Sequence, residues 1–148
     1  MGSLTLPGSG SVYADANIFI YTVERIDPYR VLLDAFWRDV QNAHTSVLTS
    51  ELSALEVLVR PIREGNATLE AAFRTVLFTS PDVQLLPVTI SVLERAAQLR
   101  AANGLKTPDA IHAATALERG CSLFVTNDPA FRRVPGLPVT VIADLLAP

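Results

Sequence analysis

Leu123-Phe124-Val125-Thr126-Asn127-Asp128 is a strand in miniature. Its three apolar residues show no polar alternation, the pattern of a strand buried on both faces in a parallel sheet. The next three residues carry a hydroxyl, an amide and a carboxylate, and Pro129 then breaks the strand. Polar groups are thereby set just beyond the strand's carboxyl end, where ligands bind in open α/β sheets.

The pattern repeats outward from this run. Upstream, Thr107-Pro108 starts a helix that ends at Gly120, with Thr107 as its cap, and a helix over 89–102 carries Ile90, Leu93, Ala96, Ala97 and Arg100 before Gly104 closes it. Val83–Val88 reads as a strand and 67–79 as a helix bearing Leu69, Ala72, Phe73, Val76 and Leu77. Thr49 or Ser50 caps a helix over about 51–60, which Pro61 disturbs, and His44–Leu48 is a short strand. Asp27-Pro28 is a helix-start pair, and that helix runs to about Gln41 with Val31, Leu32, Ala35, Phe36 and Asp39 in register. A first strand covers Val12–Asp15, and Ile18–Tyr21 starts a short helix. Downstream, Val139–Ile142 is a final strand, followed by one turn of helix. Strands alternating with helices imply a three-layer α/β/α sandwich around a central parallel sheet. Residues 1–11, with Gly2, Pro7, Gly8 and Gly10, read as a flexible lead-in to a single domain over 12–148.

With 148 residues the chain is about one domain. Its 49 % hydrophobic and 18 % charged residues suit either a well-filled α/β core or a surface partly hidden by a partner, such as a second copy. The net charge of −3 argues against a generally basic surface that binds nucleic acid by counterion release. A local basic rim remains open, with Arg60, Arg63, Lys106, Arg132 and Arg133 as candidates. Cys121 is the only cysteine, which excludes an internal disulfide or a thiolate zinc cluster within one chain. A reducing cytoplasm fits, and Cys121 reads as a small buried hydrophobe. The N-terminal residues lack the pattern of a secretory or myristoylation signal, and no apolar run reaches transmembrane length.

Four acids stand at element boundaries: Asp15, Glu56, Asp109 and Asp128. Each has an ordinary reading. Asp15-Ala16-Asn17 suits a turn or helix cap, in which Asn17 orients the Asp15 carboxylate or donates to a phosphate. Glu56 borders the stripe Leu48, Leu52, Leu55 and Val59, and Arg60 one turn on is a ready ion-pair partner. Asp109 suits the dipole of a helix N-terminus, and Asp128 precedes Pro129 as a cap. His112, three residues after Asp109, reads as a structural histidine that can reach the same edge. Thr126 and Asn127 add groups able to hold water or phosphate oxygens. In combination, four carboxylates on one edge require a cation or raised pKa values, and oxygen-only ligation selects Mg²⁺ or Mn²⁺. Such a cation commonly acts on phosphate. Other acid-based sites fit worse: Asn17 replaces the second acid of a dehalogenase-type phosphatase, a receiver domain's adjacent acids and late lysine are missing, and no P-loop, His-Glu-x-x-His, Gly-x-Ser-x-Gly or EF-hand pattern occurs.

Four segments together resemble the PIN domain, and within it the VapC-type toxin ribonucleases: Tyr13–Tyr21, Thr49–Val57, Lys106–Leu117 and Leu123–Asp128. The resemblance covers nearly the whole chain. It implies a Mg²⁺- or Mn²⁺-dependent endoribonuclease with Asp15, Glu56, Asp109 and Asp128 as the acidic quartet and with Asn17 and Thr126 supporting it. Asp15, Asp109 and Asp128 would hold metal, with Glu56 holding it through water or orienting the attacking water. The resemblance also implies a homodimer and, for a toxin, a cognate antitoxin protein. A PIN nuclease acting on DNA or in RNA processing, and an inactive PIN-like binding module, are the competing readings.

Overall fold

Successive side chains of a strand point to opposite faces, and three short strands here use that rule to feed two separate cores. The computed structural model describes residues 2–146. Its strands are β1 (Val12–Ala14), β2 (Val47–Ser50), β3 (Val83–Leu86), β4 (Leu123–Thr126) and β5 (Val139–Val141). All pair in parallel, in the order β3-β2-β1-β4-β5. Val12, Ala14, Val47 and Val125 enter one core, with Phe19, Phe36 and Phe73 from the helices on that face. Tyr13, Leu48 and Phe124 enter the other, against the alanine-rich helix that follows Lys106. The sandwich is therefore the three-layer α/β/α fold expected from the alternation of elements.

The helices are α1 (Ala16–Glu24), α2 (Arg30–Asn42), α3 (Leu52–Arg63), α4 (Ala67–Arg74), α5 (Ile90–Asn103) and α6 (Thr107–Arg119). Several boundaries depart from the sequence reading for local reasons. Helix α2 begins after Asp27-Pro28, because Tyr29 N–H turns back to Ile26 O; Val31 then points outward, 62 % exposed, while Leu32, Leu33, Phe36 and Val40 are buried. Strand β2 runs later than expected, and His44 instead takes a left-handed turn with φ 51°. Thr49 and Ser50 thus belong to the strand, and Thr49 Oγ1 donates to Ala14 O on β1. Pro61 sits buried inside α3, which continues through it to Arg63. The buried face of α3 is Ser53, Val57 and Pro61, so Leu55 and Val59 face outward.

The single helix expected over 67–79 ends as α4 at Arg74, and Thr75–Thr79 winds as a wider π-type turn. Strand β3 stops at Leu86 because Pro87 has no N–H for the ladder. On α5 the buried residues are Val92 and Ala96, whereas Ile90 and Leu93 are exposed. Thr89, read as the first residue of the helix over 89–102, is the cap of α5, and Gly104 ends it as anticipated, in the left-handed conformation with φ 67°. Lys106, not Thr107, occupies the cap position of α6. Residues 129–133 and 142–146 form 3₁₀ turns. The lead-in read as flexible lies against the domain: Leu4 is buried, and Gly2 N–H donates to Leu145 O. Among the described residues no helix is long and apolar enough to cross a membrane.

Candidate active site

The register of β1 against β4 pairs Ala14 with Val125, which places the next residues, Asp15 and Thr126, side by side at the carboxyl end of the sheet. Thr126 Oγ1 donates to Asp15 Oδ2 at 2.5 Å and accepts the backbone N–H of Asp128 at 3.0 Å. One buried hydroxyl therefore links two of the predicted acids. Asp15 occupies the cap position of α1 without a side-chain capping bond, so its carboxylate is not consumed by helix capping. Its Oδ1 is buried and has no hydrogen-bond partner. Burial pushes the carboxyl from an ordinary 3.8 up to about 6, although His112 and the Thr126 hydroxyl act to lower it and Glu56 pushes it further up.

Asp109 stands in the first turn of α6. Its carboxyl is raised by burial and by the negative charge of Asp128, with a smaller push from Glu56, while His112 and Lys106 oppose the rise. Asp128 Oδ1 accepts the Ala130 N–H at 2.9 Å, so its capping role is real, and its other oxygen stays outside that bond. Ala110, Ala113, Ala114 and Ala116 are fully buried. Their small side chains let α6 approach the sheet closely, which fixes where Asp109 stands.

Glu56 makes a bond that local spacing did not indicate. Arg60 pairs with Glu24, and at 3.7 Å with Glu64. Glu56 Oε1 instead lies 2.6 Å from His112 Nε2, across 56 residues of sequence. His112 Nδ1 lies 2.6 Å from Tyr13 Oη, which also accepts the Ser50 N–H at 3.1 Å. His112 is thus the structural histidine anticipated from sequence, and it also reaches the acidic edge. Tyr13 was missed as a site-related residue; its period-2 position opposite the Val12/Ala14 face was the available signal, marking a buried hydroxyl in need of a partner.

The structure reassigns the polar neighbours. Asn17 is exposed and makes no side-chain hydrogen bond to Asp15. Asn127 Nδ2 donates to Tyr29 Oη at 3.0 Å and Tyr21 Oη at 3.4 Å, and its Oδ1 accepts the Ala143 N–H at 3.0 Å. It ties the loop after β4 to a stacked tyrosine pair, so its amide is engaged away from the role of water or phosphate ligand. Of the candidate rim cations, Arg132 pairs with Asp144 and Arg60 with Glu24, while Arg63, Lys106 and Arg133 make no ion pair among the described residues. Cys121 is buried, and burial raises its thiol to about 11, consistent with a packing role.

The donors on this edge suit a hard cation in kind: carboxylate oxygens with a hydroxyl and no thiolate. The unpartnered Asp15 oxygen and the raised Asp15 and Asp109 carboxyls also mark a place where positive charge would be stabilising. The acids form an edge rather than a closed cage. Among the described residues no three His, Cys, Asp or Glu side chains converge tightly enough to hold one ion.

The fold has counterparts among solved structures. A toxin–antitoxin complex from Klebsiella pneumoniae is 23 % identical, covers 88 % of this chain and 96 % of its own, and superposes with a TM-score of 0.63. VapC20 of Mycobacterium tuberculosis, described as a sarcin-ricin loop cleaving toxin, is 18 % identical over 82 % of this chain and 93 % of its own, with a TM-score of 0.68. FitAcB from Neisseria gonorrhoeae is 19 % identical over 86 % of this chain and 95 % of its own, with a TM-score of 0.66. No curated protein matches the chain significantly. The family model of the PIN domain matches residues 12–137, which takes in all four acids and every strand but the last. With that match over most of its length and the parallel five-stranded sandwich beneath it, this chain belongs to the PIN domain family.

Proposed function

We propose that this chain is a Mg²⁺- or Mn²⁺-dependent endoribonuclease that hydrolyses RNA phosphodiester bonds as the toxin of a toxin–antitoxin pair in the cytoplasm. One observation carries the reading: Asp15 is held buried at a strand end by Thr126, with one carboxylate oxygen left unpartnered among three further acids. A bound divalent cation would activate water and offset charge on the phosphate in the transition state. Asp15, Asp109 and Asp128 are the residues that would hold it, directly or through water, since among the described residues no three of the acids converge on one point. Glu56 holds it through water or orients the attacking water, and Thr126 keeps Asp15 in place. Of the candidate rim cations, Lys106, Arg63 and Arg133 make no ion pair among the described residues and are available to bind the RNA backbone.

Two features support the partner assignments. Structures similar in fold are toxin–antitoxin complexes, including one bound to a promoter DNA fragment. On α3, beside Glu56, Leu55, Val59 and Ile62 stand exposed along one side, apolar surface suited to cover by an antitoxin or by a second copy of the chain. The test is to map cleaved 5′ ends across total RNA after brief expression, with Asp15→Asn as control. Discrete new ends in the wild type alone support the reading; identical maps for the two chains overturn it.

The open arrangement of the acids favours a second reading, an inactive binding module. A melting series with and without Mn²⁺ separates the two, because a ligand that binds only the folded state raises the melting temperature with its concentration. A binding module gives no Mn²⁺-dependent rise.

A further inference from the structure

Three elements that carry acids are joined through one buried chain of hydrogen bonds. It starts at the Ser50 N–H, passes through Tyr13 Oη and the two ring nitrogens of His112, and ends on Glu56 Oε1. Tyr13 lies on β1 two residues before Asp15, and His112 lies on α6 one turn after Asp109. Glu56 lies on α3, which begins just after Ser50. Tyr13 is fully buried and His112 is 2 % exposed, whereas the Glu56 side chain is 28 % exposed. The relay therefore runs from the core to the solvent edge.

The chemistry of its end sets its direction. Tyr13 Oη accepts the Ser50 N–H and lies 2.6 Å from His112 Nδ1, with the Thr49 hydroxyl also beside it. At the other side of the ring, Nε2 is 2.6 Å from Glu56 Oε1. A carboxylate oxygen accepts, so Nε2 is the donor in that bond. Tyr13 itself stays an O–H, because burial holds its pKa well above the ordinary value. Its ring is fixed too, stacked on Phe124 with centroids 5.1 Å apart and planes 9° from parallel. The Nε2 donor is thus aimed by a rigid support.

We propose that His112 is the positioning residue for Glu56, with Tyr13 holding the ring that donates to it. This rests on the nuclease reading only for its consequence in catalysis. The bond directs one oxygen of Glu56 at His112 and leaves the other for the site. Removing a partner that orients a metal-site group typically costs about 10–100-fold in metal affinity or activity.

The test uses the full chain as wild type, Tyr13→Phe, His112→Gln and His112→Leu. Gln supplies a side-chain N–H close to the Nε2 place and Leu supplies none. Imidazole ¹⁵N spectra without metal should show a proton on His112 Nε2 in the wild type, with a narrower Nε2–H signal than in Tyr13→Phe, where the ring loses its support. The Glu56 carboxyl ¹³C resonance should stay near its wild-type position in His112→Gln and move in His112→Leu. With Mn²⁺ and a labelled single-stranded RNA, kcat should fall about 10–100-fold in Tyr13→Phe and His112→Leu with KM little changed, and Gln should recover most of it. An Nε2 without a proton in the wild type overturns the proposal. So does a Glu56 resonance that Leu and Gln move equally. Tyr13→Phe keeps the ring on Phe124 and decides the matter if His112→Leu does not fold. A wild type that cleaves no RNA defeats the nuclease reading, while the two spectra still decide the positioning role.

Discussion

At Asp15 the fold holds a carboxyl in a place that resists its charge, with a pKa of about 6 against an ordinary 3.8. Between those values the folded chain binds more proton than the unfolded chain. The linkage slope is then negative: stability falls as pH rises from about 3.8 to about 6, and the full penalty is present above that. At 1.36 kcal/mol per tenfold, the penalty is roughly 3 kcal/mol. Without divalent metal, Asp15→Asn should therefore gain up to roughly 3 kcal/mol in urea unfolding at neutral pH. The gain should fade as the pH drops from about 6 and be gone below about 3.8. An Asn variant less stable than wild type at neutral pH would show that the carboxylate is better accommodated than its burial indicates. Saturating Mn²⁺ should narrow the gap by stabilising the wild type.

The helices show how far a one-dimensional reading reaches. Some stops and caps decided by local chemistry were legible: Gly104 ending α5, Gly120 ending α6 and Asp128 capping the turn after β4, whereas Thr49, Ser50 and Thr107 are not the helix caps expected. Pairings across the fold were not legible. An i,i+4 rule sees Arg60 beside Glu56, but Arg60 is drawn to Glu24 and Glu56 to a histidine 56 residues away. The same limit hid Asn127, whose partners lie on three distant segments. Periodicity also misjudged α3, where burial of the small Ser53 and of Pro61 turned Leu55 and Val59 outward. In α6 the buried alanines set the approach of Asp109 to the sheet. Ala113→Leu should overpack that contact and destabilise the chain by about 1–3 kcal/mol. It should also lower Mn²⁺ affinity, read by calorimetry on the folded variant. Unchanged stability would mean that α6 has room to spare and does not fix the edge.

Across the whole molecule, the parallel order β3-β2-β1-β4-β5 puts β1 and β4 side by side, so Asp15 and Asp128 follow adjacent strand ends and are linked through Thr126. Alternating elements made the layers legible from sequence; the strand order that completes the edge was not encoded in any one segment. The net charge of −3, with two of the five rim cations already paired, limits how much RNA backbone the surface can neutralise. With about three unpaired cations among the rim candidates, RNA held by the rim alone should give a slope of log K against log salt of about −2 for a single strand. Lys106→Ala should make it shallower and raise KM. A much steeper slope would require a basic surface that these residues do not supply.

The central claim, that the acidic edge is a metal-dependent nuclease site, is tested most directly by cleavage of a labelled structured RNA by the purified chain while Mn²⁺ is titrated. Cleavage should rise with Mn²⁺, stop on adding EDTA, and fall at least about 100-fold in a folded Asp15→Asn variant, the scale of losing a transition-state interaction of about 2.7 kcal/mol. Cleavage that persists in EDTA, or an Asp15→Asn chain as active as the wild type, would contradict it.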